Sequence, residues 1–179
     1  MKRTAHGVTI ECVRGDITRQ GDLDAIVNAA NARLLPGGGV AGAIHRAAGP
    51  GLVAESEPLG PIRPGQAVIT GGHDLPNRYV IHCLGPVYGQ DEPSDVLLAD
   101  CYRNALRLAD QQGLRSVGFP AISTGVFGYP LEEAAEVALG VVVGTAASLA
   151  SVRLVRFVLH ADRSLHVHEK ALEDAWNPY

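Results

Sequence analysis

Two asparagines, Asn28 and Asn31, stand at the end of a short apolar run, Ala25-Ile26-Val27. They are followed within a few residues by Pro36 and three consecutive glycines, Gly37, Gly38 and Gly39. Beyond the glycines, Val40-Ala41-Gly42-Ala43-Ile44-His45-Arg46 reads as the start of an amphipathic helix. Three adjacent glycines cost conformational entropy on folding. A core has no use for them, whereas a backbone that must approach a ligand closely does. The helix behind them offers unpaired N–H groups and the positive end of its dipole to the same place. That is the recipe for an anion cradle, most often a phosphate cradle. The spacing is not G-x-G-x-x-G, and no Gly-Lys-Ser/Thr follows, so neither a dinucleotide fingerprint nor a P-loop is present. The glycines alone suit a plain turn equally well, and the two side-chain amides ahead of them favour a ligand loop. Two further segments have the same character: Gly15-Asp16-Ile17-Thr18, and Pro120-Ala-Ile-Ser123-Thr124-Gly125-Val126-Phe127-Gly128-Tyr129-Pro130.

These loops need elements to hold them. Val8 to Val13 alternates as a strand does, and Asp16 or Thr18 suits the cap of the turn after it. Asp24 to Asn28 is a second strand, and Val40 to Ala48 a helix stopped by Gly49-Pro50-Gly51. Leu52 to Gly65, with three prolines, reads as an irregular connection containing at most one helical turn near Val53 to Glu57. Ala67 to Thr70 and Tyr79 to Leu84 are strands, the latter apolar enough to lie inside a sheet. A helix runs from about Asp95 to Gln112 with Ser94 as its N-cap and Gly113 beyond its end. The strand Ser116 to Phe119, a helix from Leu131 to about Leu149 opened by Pro130, the strand Val152 to Leu159 and a helix from Ser164, as N-cap, to Trp176 complete the chain. The order predicts an α/β fold: a three-layer α/β/α sandwich on a central mixed sheet, one domain over residues 1–179 with its core at about 8–175. In such sheets ligands sit beyond the carboxyl ends of strands, and all three special loops follow a strand. One elongated cleft is expected.

The 179 residues suffice for a sizeable core, and the formal net charge of −4 excludes a broad basic nucleic-acid footprint. Three cysteines, Cys12, Cys83 and Cys101, without C-x-x-C spacing read as reduced, buried thiols of a cytoplasmic protein. No segment has the length of a membrane span or the pattern of a leader, so no membrane partner is expected. His160, His166 and His168 form no evident metal set. No Cys or carboxylate completes the ligands, and H-x-H on a helix turns the two rings to different faces. Neither metal nor cofactor is expected.

The segments Gly15-Asp-Ile-Thr18, Val27-Asn-Ala-Ala-Asn31, Gly37-Gly-Gly-Val40, Gly42-Ala-Ile-His-Arg-Ala-Ala-Gly49, Ile81-His-Cys-Leu-Gly-Pro86 and Phe119 to Pro130 occur in the order in which a macrodomain carries them. The chain resembles that family over about residues 8–175, and within it the MacroD-type members, which bind ADP-ribose and hydrolyse its esters. The resemblance implies that Asp16 accepts the adenine amine, which suits an acceptor-only carboxylate, and that the Ile17 backbone meets the base. It implies that Asn31 holds the distal ribose. Gly38, Gly39, Val40 and Ala41 then form a first diphosphate loop. Ser123, Thr124, Gly125, Val126 and Phe127 form a second, with Phe127 on the ribose. His160 falls where an aromatic of the family stacks on adenine. The readings that need no ligand are a turn acid at Asp16, an Asn31 bonded to its own backbone, and a Phe127 anchored in the core.

One departure bears on chemistry. Many hydrolytic MacroD-type relatives carry Asp directly after Gly-Gly-Gly-Val, where it orients or deprotonates the attacking water. Here that position is Ala41. Loss of a general base costs about 10²–10⁴-fold. His45 is the nearest titratable residue and either substitutes or serves structurally. The resemblance therefore implies two alternatives: a hydrolase of mono-ADP-ribosyl-Glu/Asp or O-acetyl-ADP-ribose that uses Asn31 to position the sugar, or a reader of ADP-ribose that does not turn it over. A free-standing reader has nothing to recruit, which favours the hydrolase. The expected partners are ADP-ribose, its esters and mono-ADP-ribosylated proteins.

Overall fold

The computed structural model describes residues 1–177. Seven strands form one sheet: β1 (Lys2–Ala5), β2 (Val8–Arg14), β3 (Ala25–Ala29), β4 (Ala67–Gly71), β5 (Tyr79–Cys83), β6 (Ser116–Phe119) and β7 (Leu154–Leu159), in the order β1-β2-β7-β6-β3-β5-β4. The five inner strands run parallel, and β1 and β4 close the two edges antiparallel. The sheet is therefore mixed, as expected. The carboxyl ends of β2, β7, β6, β3 and β5 all meet one rim.

Five helices cover the sheet: α1 (Gly39–Ala48), α2 (Pro50–Ser56), α3 (Ser94–Gln111), α4 (Leu131–Thr145) and α5 (Asp162–Trp176). The period-2 alternation of the strands sorts them into layers. Ile26, Val80 and Val158 point to one face and pack with Ile44, Ala48 and Leu52 of α1 and α2. Val27, Ile81, Phe119 and Phe157 point to the other and pack with Tyr102, Leu106, Ala138, Leu139 and Leu172 of α3, α4 and α5. Tyr102, Phe119 and Phe157 form an aromatic centre there, with ring centroids 5.0–6.0 Å apart.

Local chemistry departs from the sequence expectations in four places. β1, a polar four-residue strand that sequence reading leaves out, pairs with β2. Gly49-Pro50-Gly51 does not open a loop. Gly49 ends α1 at φ +78°, and Pro50 starts α2 in the first-turn position that proline suits. Ser94 is the first residue of α3 rather than its cap, and its hydroxyl donates to the Asp91 carbonyl at 2.6 Å. α5 begins at Asp162, so Ser164 lies inside it and its carbonyl is bonded to His168 Nδ1 at 2.8 Å. All three cysteines are buried, and burial raises each thiol pKa, that of Cys12 to about 12. No helix of the described residues is long and apolar enough to cross a membrane.

Candidate functional site

The three special loops lie along the same rim. The first follows β2. Gly15 N–H donates to the Leu159 carbonyl at 2.9 Å, tying this loop to the end of β7 and so to His160. Asp16 caps the short 3-10 turn Ile17–Arg19: its Oδ1 accepts from the Thr18 amide at 2.9 Å and from the Thr18 hydroxyl at 2.6 Å. Those bonds, with smaller help from the charges of Arg19 and His160, hold the Asp16 carboxyl below the usual carboxylate range. Its side chain is about half exposed, and Oδ2 forms an ion pair with Arg19 Nε at 3.8 Å. Ile17 is buried against Ile26 and Val158, which presents its backbone, not its side chain, to the rim. His160 is exposed.

The second loop runs from β3 into α1. Asn31 closes it: Nδ2 donates to the Leu35 carbonyl at 2.7 Å, and Leu35 N–H donates to Asn31 Oδ1 at 3.0 Å. The ligand-free alternative for this residue, an amide bonded to its own loop, is what this structure shows. An amide carries two N–H donors and two lone pairs, so one donor and one acceptor of Asn31 remain. Leu34 sits in the left-handed region at φ +58°, held there by burial with Ala30, Ile62 and Leu84 and by the Ser56 hydroxyl on its carbonyl at 2.8 Å. Gly38 and Gly39 are exposed at the start of α1, Val40 is half-buried, and Ala41 faces inward. Gly42 explains why the loop lies so close to the helix. A Cβ on it would overlap the Gly37 carbonyl oxygen.

The third loop lies between β6 and α4. Tyr102 of α3 secures its start: the phenol donates to the Pro120 carbonyl at 3.4 Å and accepts from Ile122 N–H at 3.2 Å. Thr124 is turned back onto the loop, its hydroxyl donating to the Ala121 carbonyl at 2.8 Å. Ser123 adopts φ +67° with only 6% of its surface exposed, and its Oγ has no partner. Gly85, after β5, packs directly on that Oγ and on Ile122 Cγ2, with no room for a Cβ. Gly125 has open space on its Cα, and Val126 is 100% exposed at the tip. Phe127 packs against the cluster of Ala30, Leu34, Ile62 and Leu84. It is half-buried, so it anchors one lip of the cleft on the other and leaves part of its ring open.

Both lips thus carry a non-glycine residue in a sparsely populated backbone region, Leu34 and Ser123. Such strain persists only where surrounding structure over-determines it, and it clusters at ligand sites. Strand order then sets the layout. Asp16 and His160 stand at β2 and β7, Ser123 to Phe127 after β6, and Asn31 and Gly38 to Ala41 after β3. Four adjacent strands span roughly 14 Å.

His45, one turn below Ala41 on α1, is 6% exposed, and neither ring nitrogen has a partner. Burial lowers its pKa, so the ring is neutral near pH 7. The buried His82 ring stands 6.5 Å from it between centroids, with Asn28 and Thr70, also buried, on its two nitrogens; of these three, His82 and Thr70 carry no role in the sequence expectations. The sequence signal for His82 and Thr70 is a polar residue at a core-facing strand position. His166 is exposed and His168 buried, on opposite sides of α5. Among the described residues no group of three His, Cys, Asp or Glu is placed to hold a metal ion. Surface cavities of about 530 Å³ beside Arg103, Asp110 and Ser148, and of about 480 Å³ beside Leu59, Val68 and Asn104, include none of the rim residues named above.

The chain is similar to known proteins in sequence and in fold. The family model described as Macro domain matches residues 27–138. A macro domain-containing protein of Chlorobaculum tepidum is 48% identical over 166 residues, 92% of this chain and 96% of its own length. A Klebsiella pneumoniae protein named O-acetyl-ADP-ribose deacetylase is 47% identical over 167 residues, 90% of this chain and 95% of its own. Among solved structures, the Oceanobacillus iheyensis macrodomain with ADP superposes with a TM-score of 0.95 at 41% identity, covering 100% of this chain and 97% of that one. The Trypanosoma brucei macrodomain in complex with ADP-ribose gives 0.85 at 43% identity, over 91% and 68%.

Proposed function

The chain belongs to the Macro domain family, and from that premise we propose that it acts as one domain that binds ADP-ribose along the rim and hydrolyses its esters. The observation that carries the reading is the order of the loops. An exposed carboxylate, Asp16, whose Oδ2 makes no hydrogen bond and only a 3.8 Å ion pair with the exposed Arg19, stands at one end beside His160. Backbone from the two glycine-bearing loops fills the middle, and an amide with a spare donor and acceptor, Asn31, stands at the far end. That sequence of groups suits a base, a diphosphate and a terminal ribose. The deacetylase name of the Klebsiella relative and the ADP and ADP-ribose of the solved neighbours support it.

The chemistry favours carboxylate leaving groups. Ala41 brings no general base to the cradle. An ester of Glu or Asp needs little protonation to leave, since its parent acid has a pKa of about 4. The distal ribose carbon can develop oxocarbenium character, as in glycoside cleavage. The protein then has to hold the sugar with Asn31 and the two loops and admit one water, whose proton passes to solvent or to neutral His45. O-acetyl-ADP-ribose cleaved at its acyl carbon demands a more activated water. We therefore rank mono-ADP-ribosyl-Glu/Asp ahead of it. Ala41 also supports the second reading, an ADP-ribose reader without turnover.

Side-by-side turnover on ADP-ribosyl-glutamate and O-acetyl-ADP-ribose separates the two. Release from the first, lost on Asn31→Ala and on Gly125→Val, supports the hydrolase. Binding of ADP-ribose with no release from either ester at high enzyme concentration leaves the reader. Calorimetric titration with ADP-ribose against NAD, ADP and oligo(A) tests the ligand itself.

A further inference from the structure

Beneath the glycine loop, the sheet face that packs on α1 changes character. Ile26 of β3 and Val80 of β5 belong to the apolar cluster under α1. Two residues further along each strand, on the same face, stand Asn28 and His82, which are register partners. They are 1% and 0% exposed. A close-packed apolar pair would serve the core better there, because buried polar groups are tolerable only when their bonds are made. Here most of them are. Asn28 Nδ2 lies 3.1 Å from His82 Nδ1, His82 Nε2 lies 2.9 Å from Thr70 Oγ1, and the Thr70 hydroxyl donates to the Gly71 carbonyl at 3.1 Å.

These contacts have a direction. The Asn28 amide can only donate through Nδ2, so His82 Nδ1 carries the lone pair and Nε2 the proton. Nε2–H then donates to Thr70, whose own proton goes to Gly71. Everything from Asn28 to the edge strand is satisfied. What remains is the near end: Asn28 Oδ1 is buried without a partner, and so are Nδ1 and Nε2 of His45. The His45 and His82 rings are 6.5 Å apart between centroids. A buried orphan acceptor on Asn28 and the orphan ring nitrogens of His45, whose ring lies 6.5 Å from that of Asn28's partner His82, fit the pattern of an internal water site.

We infer that Asn28, His82 and Thr70 form a buried positioning chain behind the glycine loop, and that an internal water joins its free end, Asn28 Oδ1, to His45. The chain locks the end of β3, three residues before Asn31, to the edge of the sheet. The water locks α1 to the end of β3. The cradle between β3 and α1 thus keeps its width. The consequence for ligand affinity rests on the ADP-ribose reading above, whereas the chain, its tautomer and its water do not.

The test begins on the ligand-free protein, by nitrogen-15 spectroscopy of the histidine rings at pH 7. His82 is expected as the Nε2–H tautomer in the wild type. Asn28→Asp, which puts an acceptor where the donor was, is expected to move a proton onto His82 Nδ1. A wild-type His82 protonated at Nδ1, or an Asn28→Asp protein with His82 unchanged, overturns the chain. A high-resolution crystal structure is expected to show a water within about 3.2 Å of both Asn28 Oδ1 and a His45 nitrogen, and an empty site there overturns the water. Titration with ADP-ribose then reads the positioning role. Asn28→Leu and Thr70→Val, which break the chain at opposite ends, are each expected to weaken binding about tenfold, equivalent to about 1.4 kcal/mol. Should Asn28→Leu fail to fold, Thr70→Val decides alone, and unaltered affinity in the folded variants overturns the role. A wild type that shows the expected tautomer and water but binds no ADP-ribose refutes the functional reading instead and leaves the chain standing.

Discussion

Replacing Gly42 with alanine separates helix propensity from the demands of the cradle. Gly42 lies inside α1, and in an ordinary helix interior alanine is better than glycine by about 0.8–1.0 kcal/mol. Gly140 supplies the control. It too lies inside a helix, α4, and a Cβ there meets nothing within 4 Å. Gly140→Ala is therefore expected to stabilise the protein by about 1 kcal/mol, or a rise in Tm of roughly 2–4 °C for a chain of this length. At Gly42 the same methyl overlaps the Gly37 carbonyl oxygen. The Arg46 guanidinium, 3.1 Å away, can swing aside, but Gly37 is backbone and has to take its neighbours with it. Overpacking of this kind costs about 1–3 kcal/mol. Set against the propensity gain, the net is a loss of about 0–2 kcal/mol in place of a gain. The displaced segment is Gly37 to Gly39, so ADP-ribose affinity should fall by tenfold or more while Gly140→Ala binds as the wild type does. Thermal melts and calorimetric titration of the two variants give both quantities. If Gly42→Ala is stabilised as much as Gly140→Ala and binds ADP-ribose unaltered, the close approach of loop and helix is not what forms the cradle.

Ser123→Gly relieves a left-handed backbone, φ +67°, that costs a non-glycine residue about 1–3 kcal/mol. It also removes a buried, unpartnered hydroxyl. A higher Tm together with weaker ADP-ribose binding is expected, and unchanged binding would show that Oγ takes no part. Ala41→Asp is expected to raise release of ADP-ribose from its glutamate ester tenfold or more in a single-turnover assay; an unchanged rate would mean that no carboxylate is wanted there. Stability should depend on pH through the buried histidines. Burial, with a smaller contribution from the charge of His45, pushes His82 down to about 3, and burial lowers His45 and His168 also. The unfolded chain, with histidine near 6.5, binds protons that the folded protein refuses, so stability is full above about pH 7 and falls as the pH drops toward 3. Between pH 7 and 5, where carboxylates still ionise, His82 alone accounts for about 2 kcal/mol. Urea unfolding at the two pH values should show that loss, and His82→Gln should reduce it by a similar amount. A wild-type stability that is flat from pH 7 to 5 would contradict a neutral buried His82.

The layered fold and the position of the loops were legible because they depend on signals that are local in sequence. Apolar runs such as Val27 and Ile81 with their neighbours announce buried parallel strands, and glycine-rich segments directly after them announce the rim. What failed were features decided by tertiary partners. β1 has no apolar pattern of its own, since alternate residues face solvent, and only pairing with β2 makes it a strand. Gly49-Pro50 reads as a stop, but Gly49 at positive φ turns the chain sharply enough for Pro50 to begin α2 at once. Ser94 and Ser164 had the residue type of a cap without the position, because neighbouring loops set where α3 and α5 begin. Gly85 follows the strand Tyr79 to Leu84 in sequence, and its position there says nothing of a distant partner. That its missing Cβ makes room for Ser123, thirty-eight positions away, depends on strand order alone.

The site also shows why its ligand-free and ligand-holding readings were hard to separate in the sequence, and why they need not compete. Asn31 spends one donor and one acceptor on Leu35 and keeps one of each. Asp16 spends Oδ1 on Thr18 and leaves Oδ2 in only a 3.8 Å surface ion pair with Arg19. Phe127 buries one part of its ring on the Leu34 cluster and leaves the rest open. Each residue uses part of its bonding capacity to hold its own loop and leaves part available to a ligand. The ordering entropy of these side chains is thereby met on folding, not on binding, which is what preorganisation means for affinity. A substitution at any of them should therefore act twice, on loop geometry and on ligand contact. Asp16→Asn isolates the second effect: an asparagine retains the cap oxygen for Thr18 but turns Oδ2 into a donor. It should leave Tm within about 1 kcal/mol of the wild type while weakening ADP-ribose and sparing ribose 5-phosphate. Equal weakening of both ligands would remove Asp16 from the base-binding end of the cleft.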